Sequence, residues 1–194
     1  MIKQFHILYN GFTQRHDNIG AGLAGLYARM VFTFNDTETI IWDKHWHEDV
    51  KETAAFIHRL GYDRETGQWP KLSVVGYSFG FQAAVDLCDE LNNLANVPVQ
   101  SLVACDGVRR RSTYPWGWLS AMNPYAKFRI PGNVEKLISY RQNENWPRGH
   151  EIVTDSPTTW HEDFAGLTMT HQQMDNGSVF LKTAFDEAER VRGR

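Results

Sequence analysis

The chain has 194 residues, 42% of them hydrophobic and 13% aromatic, with a formal net charge of −3. That length supports one domain, residues 1–194, with a real core, and the composition excludes a disordered chain. The charge gives no global pull toward nucleic acid or anionic membrane, and no apolar run approaches the roughly 18 residues that suggest a membrane span. The opening MIKQFHILYNGF has too short an apolar part for a signal peptide, lacks a small-residue cleavage site, and reads as a first strand. Cys88 and Cys105 lie in apolar surroundings at no metal-ligand spacing, so buried thiols and a cytoplasmic location are expected.

In chain order, Phe5 to Tyr9 is a short apolar run ending at Asn10-Gly11. Asp17 is placed to cap a helix through about Met30, with Ile19, Leu23, Leu26 and Tyr27 at helical spacing. Thr39 to Trp42 reads as a second strand. Asp49 to Leu60 reads as a helix with Val50, Ala54, Ile57 and Leu60 as its stripe, ended by Gly61. Leu72 to Val75 is a third strand, Phe79 to about Leu94 a third helix, and Ser101 to Cys105 a fourth strand. Val134 to Tyr140 reads as a fifth strand and Ser178 to about Val191 as the last helix. Strands alternating with helices of this length predict an α/β fold: a mostly parallel sheet flanked by helices on both faces. Gly107 to Gly132, rich in Arg, Trp and Pro, breaks the pattern and reads as an irregular excursion or a short lid.

One stretch carries chemistry. In Lys71-Leu72-Ser73-Val74-Val75-Gly76-Tyr77-Ser78-Phe79-Gly80 a serine sits between two glycines where a strand becomes a helix. A nucleophilic serine must project beyond the strand end, and the sharp turn that does this crowds the residues two positions away. Glycine at 76 and 80 removes the side chains that would clash. The helix beginning at Phe79 would aim its first N–H groups at a developing oxyanion. The competing reading is a tight turn whose serine only caps the helix.

At these residues the chain resembles the α/β-hydrolase superfamily. The likeness runs through Asn10-Gly11-Phe12 after the first strand, GYSFGFQAAVDL at the elbow, ACDG after the next strand and THQQMD before the last helix. It resembles a trimmed member without the two N-terminal strands many relatives carry. The resemblance implies cleavage of an ester or thioester, a small-molecule substrate, through an acyl-enzyme on Ser78 with no cofactor.

The resemblance also implies a base on the loop before the last helix, where His171 stands; His161 is the rival. The acid is Asp106, at the end of Leu102-Val103-Ala104-Cys105, or Glu144 after the following strand. The oxyanion donors would be the N–H of Phe79 and that of Phe12, with Thr13 second; Asn10 stands where the family commonly has histidine. A non-catalytic binding protein on the same fold and an acyltransferase with the same nucleophile are the alternatives. His45 and His47, two residues apart, lack an evident third zinc ligand, and capping of the next helix by Glu48-Asp49 is the simpler reading. Arg109 to Arg111 could draw an anionic group to the site mouth or simply be a solvated loop. Tyr114, Trp116, Trp118 and Leu119 could wall an acyl pocket or pack over the sheet. No metal, nucleic acid or stable membrane insertion is expected.

Overall fold

The computed structural model describes residues 2–12, 22–109, 121–154, 156–157 and 159–193. Its centre is a sheet buried on both faces. In β1 (Gln4–Asn10) Phe5, Ile7 and Tyr9 enter one apolar cluster and Leu8 the other. The same division holds in β3 (Lys71–Tyr77), β4 (Ser101–Cys105) and β6 (Lys136–Gln142). Near-continuous apolar runs are what a parallel sheet covered on both sides requires. β2 (Thr39–His45) flanks β1, and β8 (Trp160–Leu167) flanks β6. The order is β2-β1-β3-β4-β6-β8, with every pairing parallel.

α2 (Val50–Gly61) and α3 (Phe79–Ala95) cover one face. α1 (Gly22–Thr33) and α5 (Ser178–Gly193) cover the other, with the single-turn α4 (His171–Met174) just before α5. Asp49 caps α2 by accepting from the N–H groups of Lys51 and Glu52, while Glu48 accepts from Lys44 Nζ and the N–H of His45 instead. Gly61 is the last residue of α2, and a Cβ there would lie 2.4 Å from Pro70 Cγ; a close approach, not a left-handed cap, calls for glycine.

The α/β architecture is the one expected, with local corrections. The first helix extends to Thr33, and its expected cap Asp17 and Ile19 lie outside the described residues, as does Thr13. The strand expected at 134–140 runs from Lys136 to Gln142, with Val134 making only an isolated bridge to Val99. Three strands were not expected. β5 (Lys127–Ile130) and β7 (Glu151–Thr154) form a separate parallel pair of four residues each, so part of the 107–132 stretch is regular. β8 is an edge strand whose Trp160 and Phe164 stay exposed, so it lacks the buried alternation that marks a strand in sequence.

The chain starts at β1, runs outward to β2, then returns across β1 to β3. The connections therefore leave in opposite directions from β1 and β3, and the carboxyl ends of strands at such a switch point are where open parallel sheets hold ligands. Gly11-Phe12 follows β1 and Ser78 follows β3 at that point.

His6 lies in β1, fully buried, its Nδ1 2.8 Å from Ser73 Oγ and its ring 5.2 Å from that of Phe34. Burial pushes its pKa from the ordinary 6.5 down to about 4. As pH falls through 6.5 the unfolded chain takes a proton that the folded chain refuses until about pH 4. Folding stability therefore drops over that window, by about 3 kcal/mol from this group. In urea titrations from pH 7 to 4, His6→Asn should lose correspondingly less stability than the parent. Parallel pH dependences of the two proteins would contradict the buried neutral imidazole.

Candidate active site

The turn from β3 to α3 is tight because two pieces of backbone meet there. A Cβ on Gly80 would lie 2.1 Å from the carbonyl oxygen of Tyr9, and one on Gly76 would lie 2.5 Å from Phe81 Cα. Only glycine lets β1 and α3 close this far. Ser78 takes up the bend at φ 54°, ψ −124°, a region costly for any residue with a side chain. Its hydroxyl makes no helix-capping bond. Oγ instead lies 2.9 Å from His171 Nε2.

His171 opens α4 and is buried. Its Nδ1 lies 2.5 Å from Asp106 Oδ2. The contacts fix the tautomer: Nδ1–H donates to the carboxylate, which leaves Nε2 to accept from the serine hydroxyl. Tyr77 supports the imidazole twice. Its ring stacks on it with centroids 5.2 Å apart, and its hydroxyl donates to the His171 carbonyl at 2.6 Å. Burial raises the Tyr77 pKa far above its ordinary value, so the phenol stays a donor.

Asp106 follows β4 at φ 46° and is wholly buried. A lone carboxylate there would cost several kcal/mol, so its donors matter. Oδ1 accepts from the N–H of Gln142 at 3.1 Å and of Gly149 at 2.8 Å. Oδ2 accepts from Gln142 Nε2 at 3.0 Å as well as from His171. A Cβ on Gly149 would sit 2.5 Å from Oδ1, which is why glycine stands there. Asn145 Oδ1 accepts from the His171 N–H at 2.7 Å and ties the two loops together.

Of the sequence candidates, Ser78, His171 and Asp106 are brought into one line of contacts. Phe79 is the first residue of α3, and a Cβ on Gly11 would lie 3.1 Å from Ser78 Cβ, so the Gly11-Phe12 turn borders the serine. The rings of Phe12, Trp46 and Phe79 meet pairwise at centroid distances of 5.7–6.0 Å and form an aromatic wall beside it. Asn10 is buried and donates to Asp43 Oδ1. The rivals lie elsewhere. His161 is inside β8 with Nε2 3.3 Å from Ser139 Oγ, and Glu144 is exposed. His150 is buried and accepts from the Arg109 N–H at Nδ1, 2.7 Å. His45 and His47 pack on Trp46. Arg109 donates from Nη1 to the Lys127 carbonyl, while Arg110, Arg111, Tyr114, Trp116, Trp118 and Leu119 lie outside the described residues. Tyr77, Gln142, Asn145 and Gly149 were not foreseen. Only Tyr77 had a local signal, its place just before the serine.

No family model and no curated protein sequence matches the chain. Solved structures do. One is RedJ, solved with a PEG molecule bound in the active site, which superposes with a TM-score of 0.52 at 8% sequence identity. The match covers 97% of this chain and 94% of that one. The likeness extends over the whole α/β fold.

The elbow geometry sets opposite expectations for two substitutions. Ser78→Gly removes the side chain from a strained φ and should raise unfolding free energy by about 1 kcal/mol. Gly80→Ala forces a methyl against the Tyr9 carbonyl and should lose ~3 kcal/mol or more. Denaturant midpoints of the two variants check both. A Ser78→Gly variant less stable than the parent would contradict the strain.

Proposed function

We propose that this protein is a serine hydrolase that cleaves a carboxylic ester or thioester through an acyl-enzyme on Ser78. The observation that carries the reading is the unbroken line from Ser78 Oγ to His171 to Asp106, at 2.9 and 2.5 Å. In this reading His171 Nε2 takes the hydroxyl proton as Oγ attacks the substrate carbonyl. The imidazolium so formed is stabilised by Asp106, and it returns the proton to the leaving alcohol or thiol. Water then adds to the acyl-enzyme by the same proton route, and Ser78 leaves.

The oxyanion of each tetrahedral intermediate falls to the backbone N–H groups of Phe79 and Phe12. The first stands at the N-terminal end of the 17-residue α3, whose dipole favours negative charge there. The aromatic wall of Phe12, Trp46 and Phe79 suits an apolar group on the substrate. The strain at Ser78 favours catalysis over simple binding, since a binding surface has no use for it. The two buried free thiols, Cys88 and Cys105, fit a reducing compartment, and the cytoplasm is the proposed location. Among the described residues no helix is long and apolar enough to cross a membrane.

A fluorophosphonate probe should modify Ser78 alone, and Ser78→Ala should abolish labelling. Asp106→Asn should cut turnover of p-nitrophenyl acetate by roughly several hundred-fold or more, because the imidazole loses its tautomer lock and its counter-charge. Glu144→Gln should cost less than about tenfold. Both variants need thermal unfolding like the parent's. Labelling that survives Ser78→Ala, or full turnover in Asp106→Asn, would count against the proposal.

A further inference from the structure

His171 cannot be held by its own helix. α4 has four residues, far below the ~12 at which a helix becomes even marginally stable alone. The N–H groups of Gln173 and Met174 donate to the Thr170 carbonyl just ahead of the helix, which leaves that of His171 to be met from elsewhere. The N–H of His171 finds its partner in another loop, at Asn145 Oδ1, 2.7 Å away. Asn145 Nδ2 donates to Gln172 Oε1 at 3.1 Å, so one side chain grips two successive residues of α4.

Asn145 is itself fixed by Gln142, the last residue of β6, which is 1% exposed. The Asn145 N–H donates to Gln142 Oε1 at 3.0 Å, and Gln142 Nε2 donates back to the Asn145 carbonyl at 2.9 Å. The same Nε2 reaches Asp106 Oδ2 at 3.0 Å, the oxygen that faces His171. It also reaches the Pro147 carbonyl at 2.9 Å. The pairing of β6 with β8 slips between Tyr140 and Gln142, just where the strand hands over to this turn. The turn thus joins acid and base by a second route besides their direct contact.

We infer that Asn145 and Gln142 are positioning residues: Asn145 fixes the imidazole through its backbone, and Gln142 fixes the carboxylate that orients it. The inference rests on the proposed role of Ser78. Neither side chain touches the reacting atoms. Their effect is on distance, where a displacement of about 1 Å can cost ~100-fold in rate. Asn145→Ala removes the acceptor for the His171 N–H. Asn145→Asp keeps it. Gln142→Glu keeps the shape but puts a second carboxylate against Asp106 Oδ2, which favours a protonated imidazole.

The test is the second-order rate of Ser78 modification by a fluorophosphonate from pH 5 to 9, with thermal unfolding in parallel. Unlabelled wild-type protein sinks the proposed hydrolase and this inference with it. With the wild type labelled, Asn145→Ala should react about tenfold slower or worse, and Asn145→Asp should recover most of that loss. Gln142→Glu should displace the acid limb of the profile to higher pH, a change that loss of packing alone does not produce. Wild-type rates in Asn145→Ala, or equal losses in Asn145→Ala and Asn145→Asp, overturn the inference while leaving the hydrolase standing. If Asn145→Ala does not fold, Gln142→Glu decides, and a profile that superimposes on the wild type overturns the inference.

Discussion

The carboxylate of Asp106 is wholly buried, and a buried charge must be met by donors from somewhere. Here the donors come from three places: the end of β6, the turn through Gly149, and α4. Hydrogen bonds to a charged group contribute about 1.5–3 kcal/mol each, and leaving the group unmet costs at least as much. Three separate segments are thereby drawn to one point. The geometry of the site follows from satisfying that carboxylate as much as from packing of the core.

The second constraint is the approach of β1 to α3. Tyr9 packs into the core from β1, and its carbonyl oxygen marks how near the helix start comes. Gly80 makes that approach possible, Gly76 lets β3 lie close to the first turn of α3, and Ser78 absorbs the resulting bend at positive φ. The two constraints meet at His171, whose ring spans the gap between the strained serine and the buried carboxylate. Tyr77 completes the frame, linking β3 to the His171 carbonyl. The place of the site follows from strand order, since the connections diverge between β1 and β3.

What could be read in advance was local. Gly76, Ser78 and Gly80 announce a turn because their spacing reports a steric problem solved within five residues. Asp106 stood out as a charge at the end of an apolar strand. His171 was reached by resemblance, not by chemistry visible in its neighbours. β8 stayed hidden because an exposed edge strand containing Glu162 and Asp163 has no apolar alternation to show. β5 and β7 are too short to give a period. Gln142 and Asn145 act on partners 36 and 26 residues away, so neither spacing nor composition could betray them. Gly149 carried no signal in the sequence, because its reason is a carboxylate oxygen that would lie 2.5 Å from its Cβ.

The central proposal is that Ser78 carries the acyl group in a step separate from its release. Stopped-flow mixing with p-nitrophenyl acetate addresses this directly, with intact-mass analysis of quenched samples. A burst of p-nitrophenol equal to one per chain, matched by one acetyl group mapped to Ser78, is the expected result. A folded chain that gives neither burst nor adduct, or an acetyl group mapped to another residue, would contradict it.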